Sequence, residues 1–262
     1  MVKKLSSEIV GHPLIHLGYA YEMDSKEIAM EALGLTSVQY NFFHKYFDDA
    51  SYSKHSPLSP ASPTELLIKM ASDKRFDSWP KTPAIDDLED LFEQHEDLVM
   101  EYWNGWTIND PTRQFELSQE AAVALFVATV RPGTHSYNFL LVHLLTTSHA
   151  VRILLPFVPK QYHITLVRQW WLLVIAMFII KGRPMIDPDN VKEELGGKHW
   201  HYVENAALTS RWCNDAHYVK GKPHLCNASS LYQTCSYVRR ECANGDSDSS
   251  NEGGGPDLGG RA

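Results

Sequence analysis

Three features of the sequence predict a mostly α-helical fold, a multi-helix array built around one buried central helix. Apolar residues recur at three- and four-residue spacing through most of the chain, alternating strand patterns are scarce, and Trp170–Ile180 (WWLLVIAMFII) is apolar without a break. The 262 residues suffice for one large domain or two small ones, and a hydrophobic fraction of 44% with 11% aromatics excludes general disorder.

Between Pro13 and Leu33 the apolar positions Leu14, Leu17, Tyr21, Ile28 and Met30 predict two short helices, with Gly34 as the stop. Residues 48–63 (DDASYSKHSPLSPASP) are rich in Ser and Pro, which oppose regular structure, and predict a surface loop between two helical blocks. Helices are expected over Thr64–Ser72 and Leu88–Trp103, separated by Trp79–Pro83 and followed by a turn around Asn104–Pro111. The acidic stretch Asp86–Asp97 carries Leu88, Leu91 and Phe92 at helical spacing, so it reads as a solvated helix face rather than a metal site. Ser118 reads as the N-cap of a helix through Ala121–Val130 that Pro132 and Gly133 end. Tyr137–Leu155 forms the next helix, Pro156 and Pro159 break it, and Ile164–Lys181 follows as the most buried element. Residues 1–242 are expected to form a single helical domain, and 243–262, with almost nothing to bury, a disordered tail.

A formal charge of −8, a pI near 5.9 and no basic patch argue against a nucleic-acid partner. The eleven-residue apolar run is shorter than the ~20 residues of a bilayer span, so no membrane partner is expected. The opening MVKKLSSEIVGHPLIHL lacks a long apolar region and a cleavage site, which makes the cytoplasm the default location. Cys213, Cys226, Cys235 and Cys242 match neither a zinc ribbon nor a CxxC motif and read as free thiols.

The thirteen histidines are informative by placement. His12 and His16 stand four apart, one helical turn, so both rings can approach one metal, although the glutamate of HExxH is missing and a zinc protease is disfavoured. In GTHSYNFLLVHLLTTSHA, His135 falls in or just after a turn, and His143 and His149 within an apolar helix. Taken singly, each reads as a core histidine bonded to a backbone carbonyl; together they point to a site. Six residues separate His143 from His149, about 240° around a helix, so joint ligation requires a bend near Thr146 and Thr147. A third group holds His201, Asp215, His217 and Lys220. Lys220 reads as a surface ion pair, or as a desolvated base, or as a ligand once carbamylated by carbon dioxide. No GxGxxG, GxSxG or P-loop occurs, which leaves histidine with a non-haem metal as the most economical chemistry.

Four motifs carry a resemblance: GHPLIHLGYAYE at 11–22, GTHSYNFLLVHLLTTSHAVRILLPFVP at 133–159, VRQWWLLVIAMFIIKGRPMID at 167–187 and DAHYVK at 215–220. Together they resemble the questin oxidase-like family over roughly residues 8–220. The resemblance implies a largely helical fold and oxidation of an aromatic polyketide such as an anthraquinone in fungal secondary metabolism, by Baeyer–Villiger-type oxygen insertion or oxidative ring cleavage. It further implies non-haem iron held by histidines and a modified lysine, ranked above the NADPH dependence also ascribed to the family. Carried over by position, it makes His12, His16, His143, His149 and Lys220 the metal ligands. His135 is expected to be a catalytic group bonding a substrate phenol or carbonyl, and Trp170 and Trp171 are expected in the core. A His-rich motif upstream of HPxxH in the family has no counterpart here, so an N-terminally truncated chain is expected. The second reading is therefore an inactive homologue that binds a ligand or a partner.

Overall fold

The computed structural model describes residues 11–38, 42–77, 79, 88–130, 137–187, 200–215 and 218. Among them the chain is helical and contains no strand, as the periodicity predicts. The helices are α1 His12–Glu22, α2 Lys26–Val38, α3 His44–Asp48, α4 Pro63–Ala71, α5 Leu88–Gly105, α6 Pro111–Val127, α7 Phe139–Leu154, α8 His163–Ile180 and α9 Trp200–Thr209. The chain divides into two compact units, one from Met1–Ser118 with Thr147–Pro184, the other from Gln119–Thr146 with Met185–Ala262.

In the first unit α8 is the central element. Val167 and every residue from Trp170 to Ile180 are buried. By length and composition alone, Lys160–Ile180 is apolar enough to cross a membrane, yet most of its surface is covered by protein. Its indoles are held by geometry as well as by burial. Trp170 Nε1 donates to Thr147 Oγ1 at 3.0 Å and its ring meets Phe115 edge-on at 5.2 Å, while Trp171 stands edge-on to Trp106 at 5.4 Å. Both are core residues, as expected. Helix α5 is tied to α8 by a bond from Trp103 Nε1 to the Arg168 carbonyl at 2.9 Å.

Helix α1 begins at Gly11, whose φ of +86° is the left-handed conformation that glycine adopts without strain. Ile15, Gly18 and Ala20 are its buried positions. A Cβ on Gly18 would stand 2.6 Å from Ala150 Cβ and 2.7 Å from Ala150 Cα, so α1 touches the C-terminal half of α7 backbone to backbone. Three residues turn the chain from α1 into α2, where Ser25 Oγ accepts from the Ile28 amide.

Three boundaries differ from expectation. Helix α2 runs through Gly34 to Val38, because an exposed glycine costs a helix only ~1 kcal/mol. Ser118 is not an N-cap: it is buried inside α6 with Oγ donating to the Phe115 carbonyl at 2.7 Å. The helix starts a full two turns earlier, where Asp110 Oδ1 accepts from the Arg113 amide and Pro111 supplies a first residue with preset φ. The 48–63 segment is a loop with one 3-10 turn at Ala50–Tyr52, but it is not wholly on the surface. Ser56 and Ala61 are buried against α5, bonded to the carbonyls of Glu101 and Gly105. The 243–262 segment lies outside the described residues.

Gly18 and Gly34 test this packing with opposite signs. Gly18→Ala is expected to destabilise the protein by about 1–3 kcal/mol through overpacking, despite the ~1 kcal/mol that alanine adds to helix propensity. Gly34→Ala, whose Cβ would meet nothing within 4 Å, is expected to stabilise by about 0.5–1 kcal/mol. Urea unfolding of the two variants against the parent checks both.

Candidate functional site

In the first unit, α1 and the C-terminal half of α7 carry five polar side chains of interest: His12, His16, Glu22, His149 and Arg152. His12 and His16 project from α1 with ring centroids 6.4 Å apart, one turn along the helix as the spacing requires. His16 Nδ1 is buried without a hydrogen-bond partner among the described residues, and Glu31 Oε1 of α2 lies 3.6 Å from it. At the other end of α1, Glu22 Oε2 is 2.8 Å from Nε2 of His149, a residue only 4% exposed. Arg152 Nη2 is 2.9 Å from Nδ1 of the same ring.

This arrangement fixes the His149 tautomer. A guanidinium can only donate, so Nδ1 carries the lone pair and accepts from Arg152, while Nε2–H donates to the Glu22 carboxylate. Burial lowers the His149 pKa, against an upward pull from Glu22, and Arg152 lowers it further. A neutral ring between a carboxylate and a guanidinium is the consistent state. Tyr19, beside His149 at 6.2 Å between ring centroids, is pushed up to about 12 by burial and by Glu22. The Arg152 pKa is lowered by burial.

In the second unit His143 is buried, and its Nδ1–H donates to the Phe139 carbonyl at 2.8 Å. That bond leaves Nε2 as the lone-pair nitrogen, the tautomer in which an imidazole ligates a metal. Helix α7 is continuous from Phe139 to Leu154 through Thr146 and Thr147, so His143 and His149 keep their helical separation of about 240°. His201 on α9 has a fully exposed side chain. His135, His217 and Lys220 lie outside the described residues.

No group of three His, Cys, Asp or Glu side chains able to hold a metal ion occurs among the described residues. His149 has both ring nitrogens engaged, whereas His12 and His16 share a face. The described donors therefore do not by themselves make up an iron centre.

A cavity of about 550 Å³ opens beside α1 within the same unit. Leu14, Leu17 and Tyr21 of α1, Phe47 of α3, Phe157 after α7 and Leu166 of α8 form apolar walls, with His44 and Gln169 as polar groups at the lining. Tyr21 and Phe157 hold each other with ring centroids 4.9 Å apart. The volume lies in the ~300–1,000 Å³ range of small-molecule sites, and two or three polar groups in an apolar wall are their usual composition.

Glu22, Arg152 and the cavity escape a reading of the histidines alone. Their one sequence signal is a small-residue stripe, Gly11 and Gly18 seven apart on an otherwise large-sided helix, which marks the face where another backbone comes close.

The buried His149 gives stability a pH dependence of known sign. The unfolded ring titrates near 6.5 and the native one lower, so below about pH 6.5 the unfolded chain binds a proton that the native chain does not, and stability falls as pH drops through that window. The stability lead of the parent over His149→Gln is expected to narrow between about pH 8 and about pH 5. Unfolding midpoints of the two proteins across that range check it, and a constant lead would show that the ring does not titrate differently on folding.

The questin oxidase-like family model matches residues 1–221. Among curated proteins, a Baeyer-Villiger oxidase of Pestalotiopsis microspora is 20% identical over 226 residues, which cover 80% of this chain and 50% of the relative. The chain thus spans about half the length of the curated relative it matches.

Proposed function

Because the chain belongs to the questin oxidase-like family, we propose that it is an oxidoreductase of secondary metabolism whose substrate is an aromatic polyketide of the anthraquinone type, opened by Baeyer–Villiger-type oxygen insertion. The observation that carries the substrate class is the 550 Å³ cavity beside α1, with Tyr21, Phe47 and Phe157 as aromatic walls and His44 and Gln169 as groups able to bond a phenol or carbonyl. A flat polycyclic ligand buries its faces against such walls and keeps its oxygens for the polar edge.

Non-haem iron is the cofactor proposed with this reading, ahead of NADPH, for which the sequence holds no Rossmann fingerprint. His12 and His16 are the proposed ligand pair, since they share one face of α1 and His16 Nδ1 has no hydrogen bond among the described residues. Any further donors belong to residues outside those described, where His135 and Lys220 lie. Imidazole suits iron and leaves coordination positions for dioxygen.

One observation favours a second reading, a ligand-binding relative without a competent centre: both nitrogens of His149 are engaged by Glu22 and Arg152. The two readings part in a single experiment. Protein loaded anaerobically with iron is assayed for bound metal, and oxygen uptake is followed on adding an anthraquinone. The enzyme reading expects about one iron per chain and substrate-dependent uptake, with metal lost in His16→Ala at unchanged far-ultraviolet circular dichroism. Ligand binding without metal or uptake selects the second.

The cavity assignment has its own check. Phe157→Ala removes one aromatic wall and is expected to weaken binding of an anthraquinone by about tenfold, measured by fluorescence quenching. Unaltered affinity would move the substrate elsewhere.

A further inference from the structure

Most guanidiniums packed into the first unit face acceptors that match their charge. Arg75 is held by Asp73 and Glu101, and Arg183 by Asp77 and by the carbonyls of Met70 and Asp73. Arg152 reaches Glu22 through the His149 ring.

Arg168, on the first half of α8, is treated differently. Its Cζ lies 3.9 Å from the centroid of the Trp103 ring, and Nη2 donates to Asn104 Oδ1 at 2.9 Å. Asn104 is itself fixed, with Nδ2 donating to the carbonyls of Tyr52 and Met100 and Oδ1 accepting from the Lys54 amide. The guanidinium is thus pinned in plane by a buried indole and a buried amide. Among the described residues no carboxylate pairs with it, and burial alone lowers its pKa to about 10. A guanidinium has five N–H donors, of which Asn104 takes one. Nε and Nη1 have no hydrogen-bond partner among the described residues, and neither is fully buried. A cation drawn out of water without a counter-charge is unfavourable, and a stacked ring offsets only part of that cost.

We propose that Arg168 anchors an oxyanion-binding site for a small molecule bearing a carboxylate or a phosphate. A planar fork with two parallel donors matches either group in bidentate fashion, and a fork already immobilised by Trp103 and Asn104 loses little freedom on engaging it. The site is on the α5–α8 side of the unit and does not depend on the proposed oxidation.

Calorimetric titration of the full chain with inorganic phosphate and, separately, with benzoate tests it, with ionic strength held constant by chloride. Saturable binding of one of the two anions is expected. Its Kd should rise about tenfold or more in Arg168→Gln, whose amide can still bond Asn104, and stay unchanged in Arg113→Gln, which removes an exposed guanidinium. Arg168→Lys, with the charge but not the fork, should fall between, and it decides alone if the Gln variant does not fold. Benzoate binding without phosphate binding assigns a carboxylate ligand, and the reverse a phosphate. Equal affinity in parent and Arg168 variants, or no saturable binding of either anion by folded parent protein, overturns the proposal.

Discussion

The backbone contact between α1 and α7 at Gly18 and Ala150 is the constraint on which the first unit's polar chemistry depends. With no room for even one methyl group at Gly18, the distance between the helices is set by main chain and not by adaptable side chains. That fixed distance is why Glu22 can reach His149, a residue 127 positions away in sequence, at 2.8 Å. Leu14, Leu17 and Tyr21, at i−4, i−1 and i+3 from Gly18 on the neighbouring face of α1, line the cavity. The same contact therefore sets two neighbours of one helix: a buried, hydrogen-bonded histidine and an apolar cavity wall.

The helical fold was legible in the sequence because periodicity and breakers report on local chain energetics. The boundaries that were not legible show where local signals compete. Asp110-Pro111 and Ser118 both look like helix starts, and only packing decides between them: Phe115 is buried against Trp170, which pulls the two earlier turns into the helix. Ser118 then meets its need for a partner by bonding back to a carbonyl one turn earlier. Gly34 looks like a stop, but an exposed glycine lacks the energetic weight to end a helix whose neighbours favour it.

For the candidate site, the sequence located the histidines and left their partners hidden, since partners are a tertiary property. The rings meet three different fates. His143 and His163 bond to carbonyls of Phe139 and Val158, the ordinary role of a core or half-buried imidazole. His201 is solvated. His149 sits between opposite charges and is committed on both nitrogens. Counting histidines in a motif therefore overstates the ligands available, because a ring that already has two partners must lose one before it can take a metal.

Buried polar groups that the fold does not satisfy carry the most functional information, because selection for stability alone would remove them. His16 Nδ1 is one such group, and the unpartnered donors of Arg168 are a charged counterpart among the described residues. They differ in what could satisfy them. An imidazole nitrogen beside a second histidine offers a lone pair, which suits a cation, whereas a stacked guanidinium offers only hydrogens, which suit an anion. The unsatisfied groups on α1 and α8 thus have opposite appetites, so one ligand at a single point could not satisfy both. Had Asn104 been a carboxylate, Arg168 would already hold its counter-charge; the neutral amide fixes the fork and leaves it without a carboxylate among the described residues.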